Sequence, residues 1–406
     1  MSALAGIKVV DFSRYLSGPT VTMLLADLGA DVIKVEGTPR GDPARESGAR
    51  VDGETVYYMA SNRNKRSLAV DMRSPRGKEI CRQLISDADV VVENFRPGLA
   101  AEIGLGWADC SRLNERLVYC SISGFGDGEI GSKLPGFDQT VQAMSGLMSV
   151  TGTPDTGPLR VGIAVADSGT GVFAAFGVVS ALMARERTGR GQLVTCSLMG
   201  SMLSLMSYQA QRYLSAGELP SQDGNDHPIM FPQGTFKTGD GAVTIACGNE
   251  DMWGRLCRSL SLEHLIDDPR FSSNARRMEN RRDLRRLLEA RLAEQGSEKW
   301  LETIRGAGVP CGPVLDVEQA LSHPVTEELG MIASIKHKTL GDMRVLGRPV
   351  NIQADDGPVA DTGPWLRLPP PLLGEHSVDV CREAGYSEHD IEALLRDGII
   401  AVPSEG

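Results

Sequence analysis

Residues 7 to 12, IKVVDF, form a short apolar and β-branched run, and Ser17–Gly18–Pro19 breaks it. TVTMLLADLG then places apolar residues at helical spacing, with Gly29 where a helix would stop, and DVIKVE reads as a second strand. A strand, a tight turn with Pro near the first helical position, a helix and a strand predict a βαβ unit, and therefore a parallel sheet. The alternation repeats. LAVDM (68 to 72) is strand-like, Ser74 caps a helix with Pro75 at its first position, and DVVVENF (89 to 95) and RLVYCSISGF (116 to 125) are further strands. A helical segment spans 137 to 152. VFAAFGVVSALMARERTGRG reads as a buried helix that reaches solvent and closes at Gly189, and GQLVTCSL as one more strand.

Beyond about residue 210 the pattern changes to short strands, turn signals and charged helices. The division expected is an α/β, Rossmann-like large domain at 1–219, a smaller α+β domain at 220–325 and a C-terminal segment at 326–406, with no repeat of 20 to 50 residues.

Composition narrows the function. The 406 residues carry 42 Lys plus Arg against 53 Asp plus Glu, a net charge of −11, which argues against a nucleic-acid partner. No apolar run approaches the ~20 residues that span a bilayer, and the N-terminus enters a strand at once, so neither a membrane segment nor a signal peptide is expected. The eight cysteines are scattered without a CxxC, which fits reduced thiols in a cytoplasmic protein and no metal site. All six histidines lie at or after His227, so chemistry in the first half cannot use a local His base.

Three stretches can carry chemistry. The turn at 17–19 opens a helix and offers N–H groups to a phosphate, although Thr22 and Leu24 replace the later glycines of a dinucleotide fingerprint; a plain βα turn is the alternative. Residues 61 to 82 hold seven basic and two acidic side chains, and with NFRPG (94 to 98) past a strand end they can hold a phosphorylated nucleotide or form a solvated face. Asp167, in ADSGTG, is either a helix N-cap or a nucleophile. Ala166, Ser168, Gly169 and Gly171 leave little bulk around it, and a helix N-terminus would keep it ionised.

In order along the chain, IKVVDFSRYLSGPTVTMLLADLGADVIKVEG, NRNKRSLAVDM, VVENFRPG, GFDQTVQAMSGLM, ADSGTG, TGRGQLVTCSLMGSML, GVPCGPV and PLLGEH resemble the blocks of the class III CoA-transferases. The resemblance implies an interlocked, ring-like homodimer whose Rossmann-like large domain is made from both chain ends. It implies acyl-CoA and a carboxylic acid as substrates and no permanently bound cofactor. Asp167 matches the nucleophile that forms an acyl anhydride and then an aspartyl-CoA thioester, and Asp138 an acidic position assisting it. Lys65, Asn94, Phe95, Arg96 and Gly98 match positions near the adenosine diphosphate of CoA; Arg40 and Lys133 match phosphate partners, and Tyr15, Leu16 and Ser17 lie beside the pantetheine. Glu102 departs from the Arg of many relatives, and residues 221 to 260 lack the glycine-rich tetrad of the oxalate enzymes, which disfavours oxalate. A small dicarboxylate such as succinate or a C5 relative is favoured as acceptor, with Arg14 either meeting its distal carboxylate or standing as a surface arginine. The same family includes α-methylacyl-CoA racemases, the alternative activity; their catalytic His is replaced here by Phe137.

Overall fold

A computed structural model describes residues 2–352 and 365–403. They form two compact units, one of residues 1–145, 161–207 and 325–406, the other of 146–160 and 208–324; residues 353–364 and 404–406 of the expected C-terminal segment lie outside the described residues.

The first unit is built on β1 (Lys8–Asp11), β2 (Asp31–Gly37), β3 (Lys65–Val70), β4 (Val90–Glu93), β5 (Val118–Ser123) and β6 (Leu193–Ser197). Their order across the sheet is β6-β5-β4-β1-β2-β3, all parallel, and a two-residue strand, Ile400–Ala401, adds antiparallel to the β3 edge. In register, Val10 lies between Ile33 and Val91. Strand order reverses at β1 and β4, which makes the carboxyl ends of these two strands the point where an open α/β sheet leaves a crevice.

Local sequence explains the helices that cover this sheet. Helix α1 (Ser17–Asp27) buries Val21 and Leu25, and it starts at Ser17, so Pro19 is its third residue and the Ser–Gly–Pro turn belongs to the helix. In α2 (Pro75–Ser86), Ser74 Oγ accepts from the Gly77 N–H at 3.0 Å, and Ile80, Cys81 and Ile85 face the core. A Cβ at Gly77 would stand 1.9 Å from the Asp71 carbonyl, so only glycine fits there. Two further helices, α3 (Asp138–Met144) and α4 (Val165–Thr188), flank the site; α4 closes at Gly189, where φ is +71°. By length and composition alone α4 is apolar enough to cross a bilayer, a property it shares with core helices of soluble proteins, and 44% of that window is buried within the single chain.

In the second unit β7 (Gln233–Lys237), β8 (Ala242–Ala246) and β9 (Cys311–Pro313) form an antiparallel sheet. Leu284, Leu288 and Leu292, spaced by four on α5 (Arg281–Leu292), close its core with Phe236, Ile245, Trp253 and Trp300. Residues 146–160 pack here although the chain pattern assigns them to the preceding stretch. The reason is backbone pairing: the Gly224 N–H donates to the Gly152 carbonyl at 2.8 Å, and the Gln222 amide to that of Thr151 at 2.9 Å.

Candidate active site

A cavity of about 700 Å³ opens where β1 and β4 end. The turn after β1 supplies Tyr15 and Ser17, the turn after β4 supplies Asn94 to Pro97, and the ends of β5 and α4 supply Ile122 to Gly124 and Asp167. This is the position where ligands of doubly wound sheets bind, because strand ends there diverge and leave backbone and loop groups uncovered.

Asp167 is the third residue of α4, not its cap; Ala164 holds the cap position and contributes no side-chain bond. The orphan N–H groups of that first turn are instead met from α3: Asp138 Oδ1 accepts from the N–H of Ala166 at 2.7 Å and of Asp167 at 3.3 Å. The Gln142 amide donates to Asp138 Oδ2 at 2.6 Å, and its oxygen accepts from the Val161 N–H at 2.9 Å. Asp138 thus has both oxygens engaged, by the start of α4 and by Gln142, and it is not among the residues lining the cavity.

The Asp167 carboxyl is pushed up from 3.8 to about 6, first by burial, then by the charge of Asp138, against a hydrogen bond from Ser17 that holds it down. A carboxyl raised to about 6 is still mostly ionised at neutral pH, so burial narrows, without abolishing, the pH range over which Asp167 carries the charge expected at a helix start. Tyr57 lines the same cavity, and its phenol is raised to about 12 by burial and by Asp167. The small residues around Asp167 also serve another purpose. A Cβ on Gly171 would lie 2.7 Å from Thr20 and 3.0 Å from the Ser17 carbonyl, and one on Gly169 3.0 Å from Leu205, so these glycines let α1 and the helix Leu198–Leu205 approach α4.

Of the residues singled out in the sequence, Tyr15, Ser17, Asn94, Phe95, Arg96, Lys133 and Asp167 line the cavity. Asn94 does so with its side chain spent: it accepts from the Arg14 N–H at 2.8 Å and donates to the Arg14 carbonyl at 2.8 Å and to Ser17 Oγ at 3.2 Å. Arg96 is held by Glu102 at 2.6 Å, and Lys133 lies 3.9 Å from Glu129. The Arg14 guanidinium stacks on Phe95, 5.0 Å from the ring centre. Leu16 holds the cap position before α1 and Gly98 that before the one-turn helix Leu99–Glu102, and Arg40 projects into solvent 3.9 Å from Glu46.

Lys65 is elsewhere. It is fully buried, and its ammonium donates to Asp11 at 3.1 Å, to the Pro19 carbonyl at 3.0 Å and to Asn62 at 2.8 Å. Three more members of the run are paired: Arg63 with Asp27 at 2.5 Å, Arg66 with Asp31 and Glu383, and Arg76 with Asp397. Lys65 and these three arginines are thus matched by carboxylates distant in sequence and do not line the cavity. Tyr57 and Gln142 were not singled out. Nothing in ETVYYMA marks Tyr57, whereas Gln142 follows Asp138 by four in FDQTVQ, the spacing of facing residues on a helix.

A model of CoA-transferase family III matches residues 4–377. The chain is 38% identical over 402 residues to a succinyl-CoA:glutarate CoA-transferase of Mus musculus, covering 98% of this chain and 91% of the relative. It is also 38% identical over 354 residues to an acetyl-CoA:oxalate CoA-transferase of Acetobacter aceti, covering 87% and 90%. A solved structure of a CaiB/BaiF family protein from Brucella suis matches with a TM-score of 0.82 and 37% identity, covering 94% of this chain and 99% of that one.

Proposed function

The chain belongs to CoA-transferase family III, and from that premise we propose that it moves CoA from an acyl-CoA donor to a small dicarboxylic acid through covalent intermediates on Asp167. The observation that carries the mechanism is the placement of this carboxylate: partly exposed, at the head of α4, on the wall of the switch-point cavity, with the Ser17 hydroxyl beside it.

Asp167 attacks the thioester carbonyl; the C–S bond breaks, and an acyl-aspartyl anhydride and a CoA thiolate result. The thiolate then attacks the aspartyl carbonyl, releases the donor acid and leaves an aspartyl-CoA thioester. The acceptor carboxylate attacks that thioester to give a second anhydride, and the returning thiolate takes the new acyl group and frees Asp167. Every nucleophile is an anion at the moment of attack, so no step requires a histidine or a metal. Water must be excluded, since it would hydrolyse the anhydride. The cavity wall of Tyr15 and Phe137, whose rings meet edge to face at 6.3 Å, supplies an apolar cover on one side.

A dicarboxylate acceptor is supported by the substrates named for the relatives, glutarate and oxalate among them. The racemase alternative lacks support: Phe137 cannot accept a proton, and no histidine is found among the described residues that line the cavity. The apolar face of α4, with Val172, Phe176 and Met183 exposed, supports a homodimer, to be read from the mass in solution. Cytoplasmic residence completes the reading.

The test is incubation with succinyl-CoA, a quench with hydroxylamine or borohydride, and peptide mapping. A modified Asp167 and loss of transfer in Asp167→Ala are expected. Full activity of that variant, or exchange of the α-hydrogen of an acyl-CoA without transfer to an added acid, would overturn the reading.

A further inference from the structure

The turn between β1 and α1 bears two walls of the cavity, and its backbone does not rest where its residues prefer. Tyr15 sits at φ +62°, a left-handed conformation unfavourable for an aromatic residue with a Cβ. Its neighbours are tightly placed too: a Cβ on Gly18 would fall 2.2 Å from that of Ser13, so the turn closes on itself only because residue 18 has no side chain. A strained turn persists when the surrounding structure over-determines it, and three sets of bonds converge on this one. Asn94 clamps the N–H and carbonyl of Arg14. Asp11 accepts from both the N–H and the hydroxyl of Ser13. The third set comes from charges that do not reach the cavity.

Lys34, in the middle of β2, is fully buried, and so is Asp42, beyond the strand end. The Lys34 ammonium donates to the Ser13 carbonyl at 2.9 Å, and Asp42 Oδ1 accepts from the Tyr15 N–H at 3.0 Å. Asp42 Oδ2 faces the Lys34 ammonium at 2.9 Å. Removing two ions from water is unfavourable, and a hydrophobic pair in the same space generally leaves a fold as stable or more so. What a hydrophobic pair cannot do is bond the backbone on both sides of Arg14. We propose that the buried Lys34–Asp42 ion pair is a positioning device for the cavity: it fixes residues 13 to 15 in the strained conformation and thereby sets the Tyr15 ring and the Ser17 hydroxyl against Asp167. It touches no substrate. It acts through the turn, whose displacement moves two cavity groups at once.

The structural half of this inference is independent of the reaction, and the kinetic half rests on the CoA-transfer reading. The test variant is Lys34→Met/Asp42→Leu, which removes both charges together, so that no unpaired ion is left buried. Its crystal structure is expected to show residue 15 outside the left-handed region. Its kcat for CoA transfer should fall on the order of 10²-fold, as for a misplacement of about 1 Å, with a smaller change in KM. Asp42→Asn keeps an oxygen for the Tyr15 N–H and should restore most of kcat, which a general loss of stability would not do. If the double variant does not fold, Asp42→Ala reads the same bond, because Lys34 keeps Asp11 and Glu36 as counter-charges. Positive φ at residue 15 in a folded variant lacking the pair, or wild-type kcat in that variant, overturns the proposal. Absence of CoA transfer by the wild-type protein would instead overturn the functional reading and leave the structural arm to be judged alone.

Discussion

Replacing Asp167 with Asn should abolish transfer and at the same time stabilise the protein, by an amount that depends on pH. The isosteric amide removes a charge that burial and Asp138 both oppose, and which the Ser17 hydrogen bond only partly offsets. The carboxyl rises from 3.8 to about 6 on folding. At about 1.4 kcal/mol per pH unit, that rise corresponds to about 3 kcal/mol of destabilisation once the group is ionised in the folded chain. The direction follows from proton binding. Below pH 3.8 both folded and unfolded chains hold the proton, and Asp167 contributes no penalty. Between 3.8 and about 6 only the unfolded chain has released it, so folded stability falls as pH rises; above about 6 the loss is complete. Urea unfolding of wild type and Asp167→Asn across about pH 4 to 8 should therefore show curves that coincide at the acid end and separate to about 3 kcal/mol at neutral pH. A variant no more stable than wild type at neutral pH, or an advantage of equal size at every pH, would refute this account of the nucleophile's surroundings. In the wild type, kcat/KM should fall as pH drops through about 6, since only the carboxylate attacks.

Other perturbations separate the roles of neighbouring residues. Asp138→Asn removes the second cause of the raised Asp167 carboxyl but not burial, so the acid limb of the kcat/KM profile should move to lower pH while stopping short of 3.8; an unmoved limb would deny Asp138 that influence. Gly171→Ala places a Cβ 2.7 Å from Thr20, and overpacking of this kind destabilises by about 1–3 kcal/mol; thermal unfolding should report the loss, and kcat should fall as the Ser17 end of α1 is displaced. Lys65→Met leaves Asp11 buried without its direct partner and should destabilise by about 3–5 kcal/mol while leaving KM for CoA unchanged in the folded fraction. A raised KM without a loss of stability would return Lys65 to the CoA site.

Much of this protein is legible along the chain because the deciding interactions are local. The βαβ alternation, Ser74 capping α2 and Gly189 closing α4 each depend on a few consecutive residues and one backbone geometry. The switch-point cavity follows from strand order; the chain pattern placed NFRPG past a strand end, where it flanks the cavity, but set the first break at Ser17–Pro19, which the structure makes the first turn of α1.

What only the tertiary structure decided concerns charge. A lysine in a basic run looks available to a phosphate, yet Lys65 pairs with Asp11, 54 residues away, and Arg66 with Glu383, 317 residues away. Electrostatic energy depends on separation in space and on burial, neither of which a local pattern contains. For the same reason Asp167 could be found in the sequence as a carboxylate in a small-residue setting, but its elevation to about 6 required knowing that Asp138 stands beside it and that water largely does not.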